Sequence, residues 1–192
     1  MEWKTEQFGS SHEGRPGAVL TDGEEPKPVY FDVGSGANFH KSTDWWVYDG
    51  TFRAPRATNM RGSCSCGWRG ESLYPIDWSE VDKRVPGAYD TSGPYEDWEG
   101  HIASVEAQSV PLPAEVEDLV QQLDDKLADL SYQAPLAALK AVAALERIAV
   151  RVGRDAAYEV QADELSPETV AKALGLAEEK VRSRLLHYSL KR

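Results

Sequence analysis

The sequence predicts an α+β protein, with a small β-rich N-terminal module followed by an all-helical C-terminal half. Three observations predict it. Short apolar-aromatic runs bounded by Gly, Asp and Asn fill the stretch from Val29 to about Leu73, which is the texture of short strands and turns. From Ala114 onward, apolar residues recur at helical spacing instead. Pro111 and Pro113 punctuate the change.

With 192 residues the chain has room for one full core or two small domains. Its hydrophobic fraction of 41% suits a folded protein. No run approaches the roughly 18 consecutive apolar residues of a membrane span, so no membrane partner is expected. The start, Met1-Glu2-Trp3-Lys4, lacks the basic segment and apolar core of a secretory signal. A cytoplasmic location is the expectation that follows.

Residues 1–28 are rich in Gly, Ser, Glu and Pro and are expected to form a flexible leader. The β-rich module should occupy residues 29–110. Val29-Tyr30-Phe31 and Trp45-Trp46-Val47-Tyr48 are its clearest strand candidates, and Asp49-Gly50 is a hairpin-type turn signal. Arg61 to Glu71 reads as a second hairpin with Cys64-Ser65-Cys66-Gly67 at its tip. Residues 75–94, with three prolines and two glycines, read as a long surface loop. A helix should begin near Pro94 or Tyr95 and carry Trp98, Ile102 and Val105 on one side.

Residues 114–161 predict a helical hairpin. Val116, Leu119, Val120, Leu123, Leu127 and Leu130 line one face of its first helix, and the other face is acidic. Pro135 suits the first position of the next helix, Leu136 to about Gln161. That helix offers Leu139, Val142, Leu145, Ile148 and Val152 for burial. The two should pack antiparallel.

The last segment, residues 162–192, carries the most information. Ser166 can cap a helix, Pro167 fits its first position, and Glu168 favours the positive end of the helix dipole. Val170, Ala171 and Leu174 form an apolar face, and Gly175 ends the helix in a tight turn. A second helix from Ala177 to about Tyr188 should bury Val181, Leu185 and Tyr188. Small Ala171 allows a close crossing, which is the packing logic of a helix-turn-helix.

Leu165-Ser166-x-Glu168-x-Val170-Ala171, Leu174-Gly175-Leu176 and Val181-Arg182-Ser183-Arg184-Leu185 resemble the promoter-reading C-terminal domain of bacterial sigma factors and related helix-turn-helix regulators. The resemblance covers about 24 of the 192 residues. It implies a second helix seated in the major groove of duplex DNA. Glu178, Glu179 and Lys180 would then lie near base edges, and Arg182, Ser183 and Arg184 near bases or backbone. A glutamate in that place can accept from cytosine.

Charge agrees with a reader at the tail. The net charge is −11, which argues against broad adhesion to nucleic acid. From Asp163 to the end, however, six basic residues face five acidic ones, so that segment is +1 and the preceding 162 residues carry −12.

Cys64 and Cys66, the two cysteines, are one residue apart. A disulfide there would be strained, because the bridge needs Cα atoms about 4.4–6.8 Å apart with particular side-chain directions. Free thiols or metal ligands suit the spacing better. The segment Cys64 to Gly70 loosely resembles a zinc-ribbon or zinc-finger knuckle, which implies a structural zinc ion with four ligands. His101 is the best third ligand, on the helix with Trp98. The fourth is open between Asp97, four residues earlier on the same helical face, and His40.

The Gly-Ser-Gly at residues 34–36 lacks the Gly-Lys-Ser/Thr of a phosphate-binding loop, and no nucleophile-elbow or zinc-protease pattern occurs. An enzyme is not expected. The expected function is a transcriptional regulator reading duplex DNA, in contact with transcription machinery and forming a homo-oligomer. The alternative is a protein-interaction or scaffold module whose helix-turn-helix serves packing or a protein partner.

Overall fold

The structure is a computed structural model that describes residues 2–32 and 39–190. The loop expected at residues 34–36 lies outside the described residues, as do Lys191 and Arg192. The protein is α+β and divides into two compact units, Met1–Ala107 and Gln108–Arg192.

The first unit is built on a three-stranded antiparallel sheet of order β1 (Gly14–Val19), β4 (Asn59–Cys64), β5 (Tyr74–Pro75). A separate antiparallel pair is formed by β2 (Val29–Asp32) and β3 (Phe39–Ser42), with Tyr30 opposite Lys41. One helix, α1 (Ser92–Gln108), completes the unit.

Of residues 1–28, expected as a flexible leader, the stretch from Trp3 to Val19 is instead part of this core. The backbone of Trp3 exchanges two hydrogen bonds with Gly14, at 2.7 and 2.8 Å. β1 then pairs with β4 along its whole length, from Gly14 opposite Cys64 to Val19 opposite Asn59. Composition hid this because the buried apolar side chains are few, Trp3, Ala18 and Val19, and the others, Ser11 and His12, are polar. Gly14 is a requirement of the packing. A Cβ there would lie 2.5 Å from the Trp98 ring, so only glycine lets α1 seat this close to the strand.

Trp45-Trp46-Val47-Tyr48 is not a strand. Ser42 Oγ donates to the Asp44 carboxylate at 2.7 Å and accepts from the Asp44 N–H at 3.1 Å, which turns the chain. A 3-10 turn, Trp45–Val47, follows. It drops Trp45 and Tyr48 into a cluster with Ala18, Ala57, Met60 and Ile76. Residues 75–94 are less loop-like than expected. Ile76 is buried, and the Trp78 indole donates to the Ala57 carbonyl at 2.8 Å while packing on Trp45. The segment straps this cluster from outside.

The second unit contains α2 (Ala114–Gln133), α3 (Pro135–Ala162), α4 (Pro167–Leu174) and α5 (Glu178–Leu190). α2 and α3, joined through Ala134 alone, pack on one another, and α5 packs on both α3 and α4. The apolar positions are covered less than periodicity suggests. Leu119 and Val120 on α2 are 58% and 57% exposed, and on α3 Leu139, Val142, Ile148 and Val152 are exposed too. The buried residues of α3 are the small Ala138 and Ala157, because close approach selects short side chains over leucines.

α4 and α5 are set by local chemistry. Ser166 Oγ accepts from the Thr169 N–H at 3.1 Å, capping α4, with Pro167 at its first position. Gly175 ends it at φ 58° and ψ 46°, in the left-handed region. The Leu176 N–H then donates to the Ala171 carbonyl at 2.9 Å. Val170, Ala171 and Val181 are buried together, with Val160 of α3 and Leu185 packed against them.

A candidate metal centre and a candidate nucleic-acid interface

Within the first unit, three chain segments bring four ligand atoms to one place. β4 ends at Cys64, and the chain reverses through a turn in which the Gly67 N–H donates to the Cys64 carbonyl at 3.0 Å. The Cys64 N–H donates to the Trp68 carbonyl at 3.0 Å, which closes the turn and carries Cys66 beside Cys64. The register that sets Gly14 opposite Cys64 brings up the 3-10 turn Gly9–His12 that precedes β1. Ser65, between the cysteines, fastens that turn. Its N–H donates to the Glu13 carbonyl at 2.8 Å, and its Oγ accepts from the Glu13 N–H at 3.0 Å and donates to the Ser11 carbonyl at 3.1 Å. His12 is thereby held over the sulfurs.

α1 supplies the fourth group. Trp98, 3% exposed, packs with Trp3 and Cys64 and anchors the helix, and His101 lies one turn further on. Its ring stacks on Trp68 with centroids 4.5 Å apart and planes 6° from parallel. His12 Nδ1 is 3.3 Å from His101 Nε2 and 3.6 Å from Cys64 Sγ, and Cys66 Sγ is 3.4 Å from His101 Nε2. The ligand atoms of His12, Cys64, Cys66 and His101 all lie within 4.8 Å of one another. His12 and Cys64 are buried, and Cys66 and His101 are half-buried.

Both cysteines are free thiols. Cys64 is held far below its ordinary range, chiefly by the hydrogen bond from Cys66 and further by the His101 and His12 imidazoles, against the opposing effect of burial. Cys66 is pushed up by its hydrogen bond to Cys64 and by burial. A cation bound here would take both sulfurs as thiolates. The arrangement is a possible metal site.

Of the residues singled out from sequence, Cys64, Cys66 and His101 meet here. Asp97 does not join them; its carboxylate lies beside Gly70. His40 is exposed on β3, outside the cluster. The member that sequence reasoning missed is His12. It lies 52 residues from Cys64, in the supposed leader, and no local spacing links the two. The one available signal was its residue type, since the chain has four histidines in all.

The second unit presents the other candidate. On α5, Glu178, Glu179, Arg182, Ser183 and Arg184 are exposed and Lys180 is half-buried. The opposite side of the helix holds Val181, 3% exposed, against Ala171 of α4.

Among the described residues no helix is long and apolar enough to cross a membrane. No protein-family model, no curated protein and no solved structure matches the chain.

Proposed function

We propose that the protein is a transcriptional regulator that reads duplex DNA through a helix-turn-helix formed by α4 and α5, and that a structural zinc ion holds its first unit together. The observation carrying the first part is the corner at Gly175. The left-handed glycine, the buried Ala171–Val181 contact and the exposed Arg182, Ser183 and Arg184 support this reading. The resemblance to sigma-factor promoter readers supports the same assignment. Arg182→Ala combined with Arg184→Ala is expected to abolish sequence-selective binding to a genomic fragment library. Wild-type protein that binds no fragment, or binds independently of salt, overturns this reading.

Zinc is supported by the donor set and by its dimensions. Two sulfurs and two imidazole nitrogens are a common structural zinc set. A tetrahedral ion with bonds of about 2.0–2.1 Å to nitrogen and about 2.3 Å to sulfur needs N···N edges of about 3.3 Å and N···S edges of about 3.5 Å. The measured 3.3, 3.4 and 3.6 Å agree. Four protein ligands close the coordination sphere, which fits a structural role.

A second reading, a protein-interaction module, is favoured by one observation. Every residue of α2 is exposed or half-buried, although Val116, Leu119, Val120 and Leu123 form an apolar stripe along it. An uncovered apolar stripe of this kind fits a symmetric pairing with a second copy of this chain. Sedimentation should then give a dimer that Leu119→Glu with Leu123→Glu reduces to a monomer. Wild-type protein sedimenting only as a monomer ends this second reading.

A further inference from the structure

We propose that the outer row of α3, formed by Lys140, Arg147, Arg151 and Arg154, is a rail that contacts the phosphate backbone of the duplex beside α5. The proposal rests on the DNA-reading assignment above and extends it to a helix outside the helix-turn-helix. The four residues follow at intervals of seven, four and three, so they share one face of the helix. All four are exposed. At about 1.5 Å per residue the row spans about 21 Å. A duplex strand carries one phosphate per about 3.4 Å of axis, so the row matches the axial reach of about six phosphates.

Charge distinguishes this face from the rest of the molecule. The chain is −11 overall, and of the neighbouring acids of α3 Asp155 falls off the row while Glu146 lines the same cleft as Arg147, Arg151 and Arg154, so the cations outnumber the acids there three to one. An acidic protein needs its cations gathered in one place to approach a polyanion, and three of these four are arginines, whose planar forks suit phosphate oxygens.

The row also borders the proposed reader. Arg147, Arg151 and Arg154 line a cleft of about 940 Å³ whose other wall is His187 and Tyr188 of α5. Arg184 precedes these two by three and four residues, on the same side of α5. The crossing is fixed by close packing, since a Cβ on Gly153 of α3 would lie 2.5 Å from the Tyr188 ring. Arg184 therefore lies on the side of α5 that borders the α3 row, whereas Arg182, two residues earlier, faces nearly the opposite way.

The test uses the full chain with its metal, a duplex selected from the genomic library and a random duplex, each titrated over a salt series. Arg147→Ala, Arg151→Ala and Arg154→Ala together should weaken binding to both duplexes by the same factor, on the order of tenfold to a hundredfold. The slope of log affinity against log salt should fall by about 2 to 3, near 0.9 per lost phosphate contact. The ratio between the two duplexes should not change, whereas Arg182→Ala with Arg184→Ala should collapse it. The triple lysine variant should retain most of the slope, and an unchanged helix signal shows that the alanine variant is folded. Wild-type binding with an unchanged slope in the folded alanine variant overturns the rail and leaves the reader standing. Loss of self-association with an unchanged slope assigns the row to a second copy and likewise overturns it. Wild-type protein that binds neither duplex removes the reader and the rail together.

Discussion

Cys64→Ser is expected to unfold the first unit and spare the second. The substitution removes one of two sulfurs from a four-ligand cluster in which Cys64 is buried between β4 and His12. Structural zinc contributes on the order of 10 kcal/mol to small metal-dependent folds at neutral pH, which exceeds the total stability of many domains this size. The core beside the cluster is small, with Trp3, Cys64 and Trp98 as its buried members. The two units can be followed separately. All six tryptophans lie between residues 3 and 98, whereas four of the five α-helices among the described residues lie in the second unit. Tryptophan emission should shift to the red on Cys64→Ser, on His12→Ala or on chelation, while most of the helix signal persists. Purified wild-type protein should hold one zinc per chain, and Asp97→Asn and His40→Ala should hold as much. Metal-free wild-type protein with unshifted emission would defeat the assignment.

Val181→Asp should do the reverse. It places a carboxylate at a position 3% exposed, among Val170, Ala171 and Leu185. An uncompensated buried charge costs on the order of 3–5 kcal/mol, more than a pair of short helices can absorb. The α4–α5 corner should melt, duplex binding should vanish, and tryptophan emission and zinc content should stay at wild-type values. Retained duplex binding in this variant would separate DNA recognition from the α4–α5 core.

These opposite outcomes follow from the different ways the two sites are encoded. The C-terminal pair was legible because its determinants are local. A cap reaches from Ser166 to Thr169, and a turn is made by Gly175 alone. Hydrogen bonds and dihedral preferences act over three or four residues, so spacing in the chain reports them directly. The hairpin tip at Cys64 and Cys66 was legible for the same reason. Trp45 to Val47 misled because an aromatic run is equally apolar in a strand and in a 3-10 turn, and the Ser42–Asp44 contact decides between them.

From sequence alone came the helices of the second unit, the left-handed glycine between α4 and α5, and three of the four groups at the candidate metal centre. Tertiary structure decided the fourth, His12, and the inclusion of Trp3 to Val19 in the core. It also decided which apolar stripes stay uncovered and that the α3 arginines stand beside α5. Each of these depends on distant segments meeting, through strand register, through the Ser65 staple or through the Gly153–Tyr188 contact. Periodicity records which face of an element is apolar; only packing determines what that face meets.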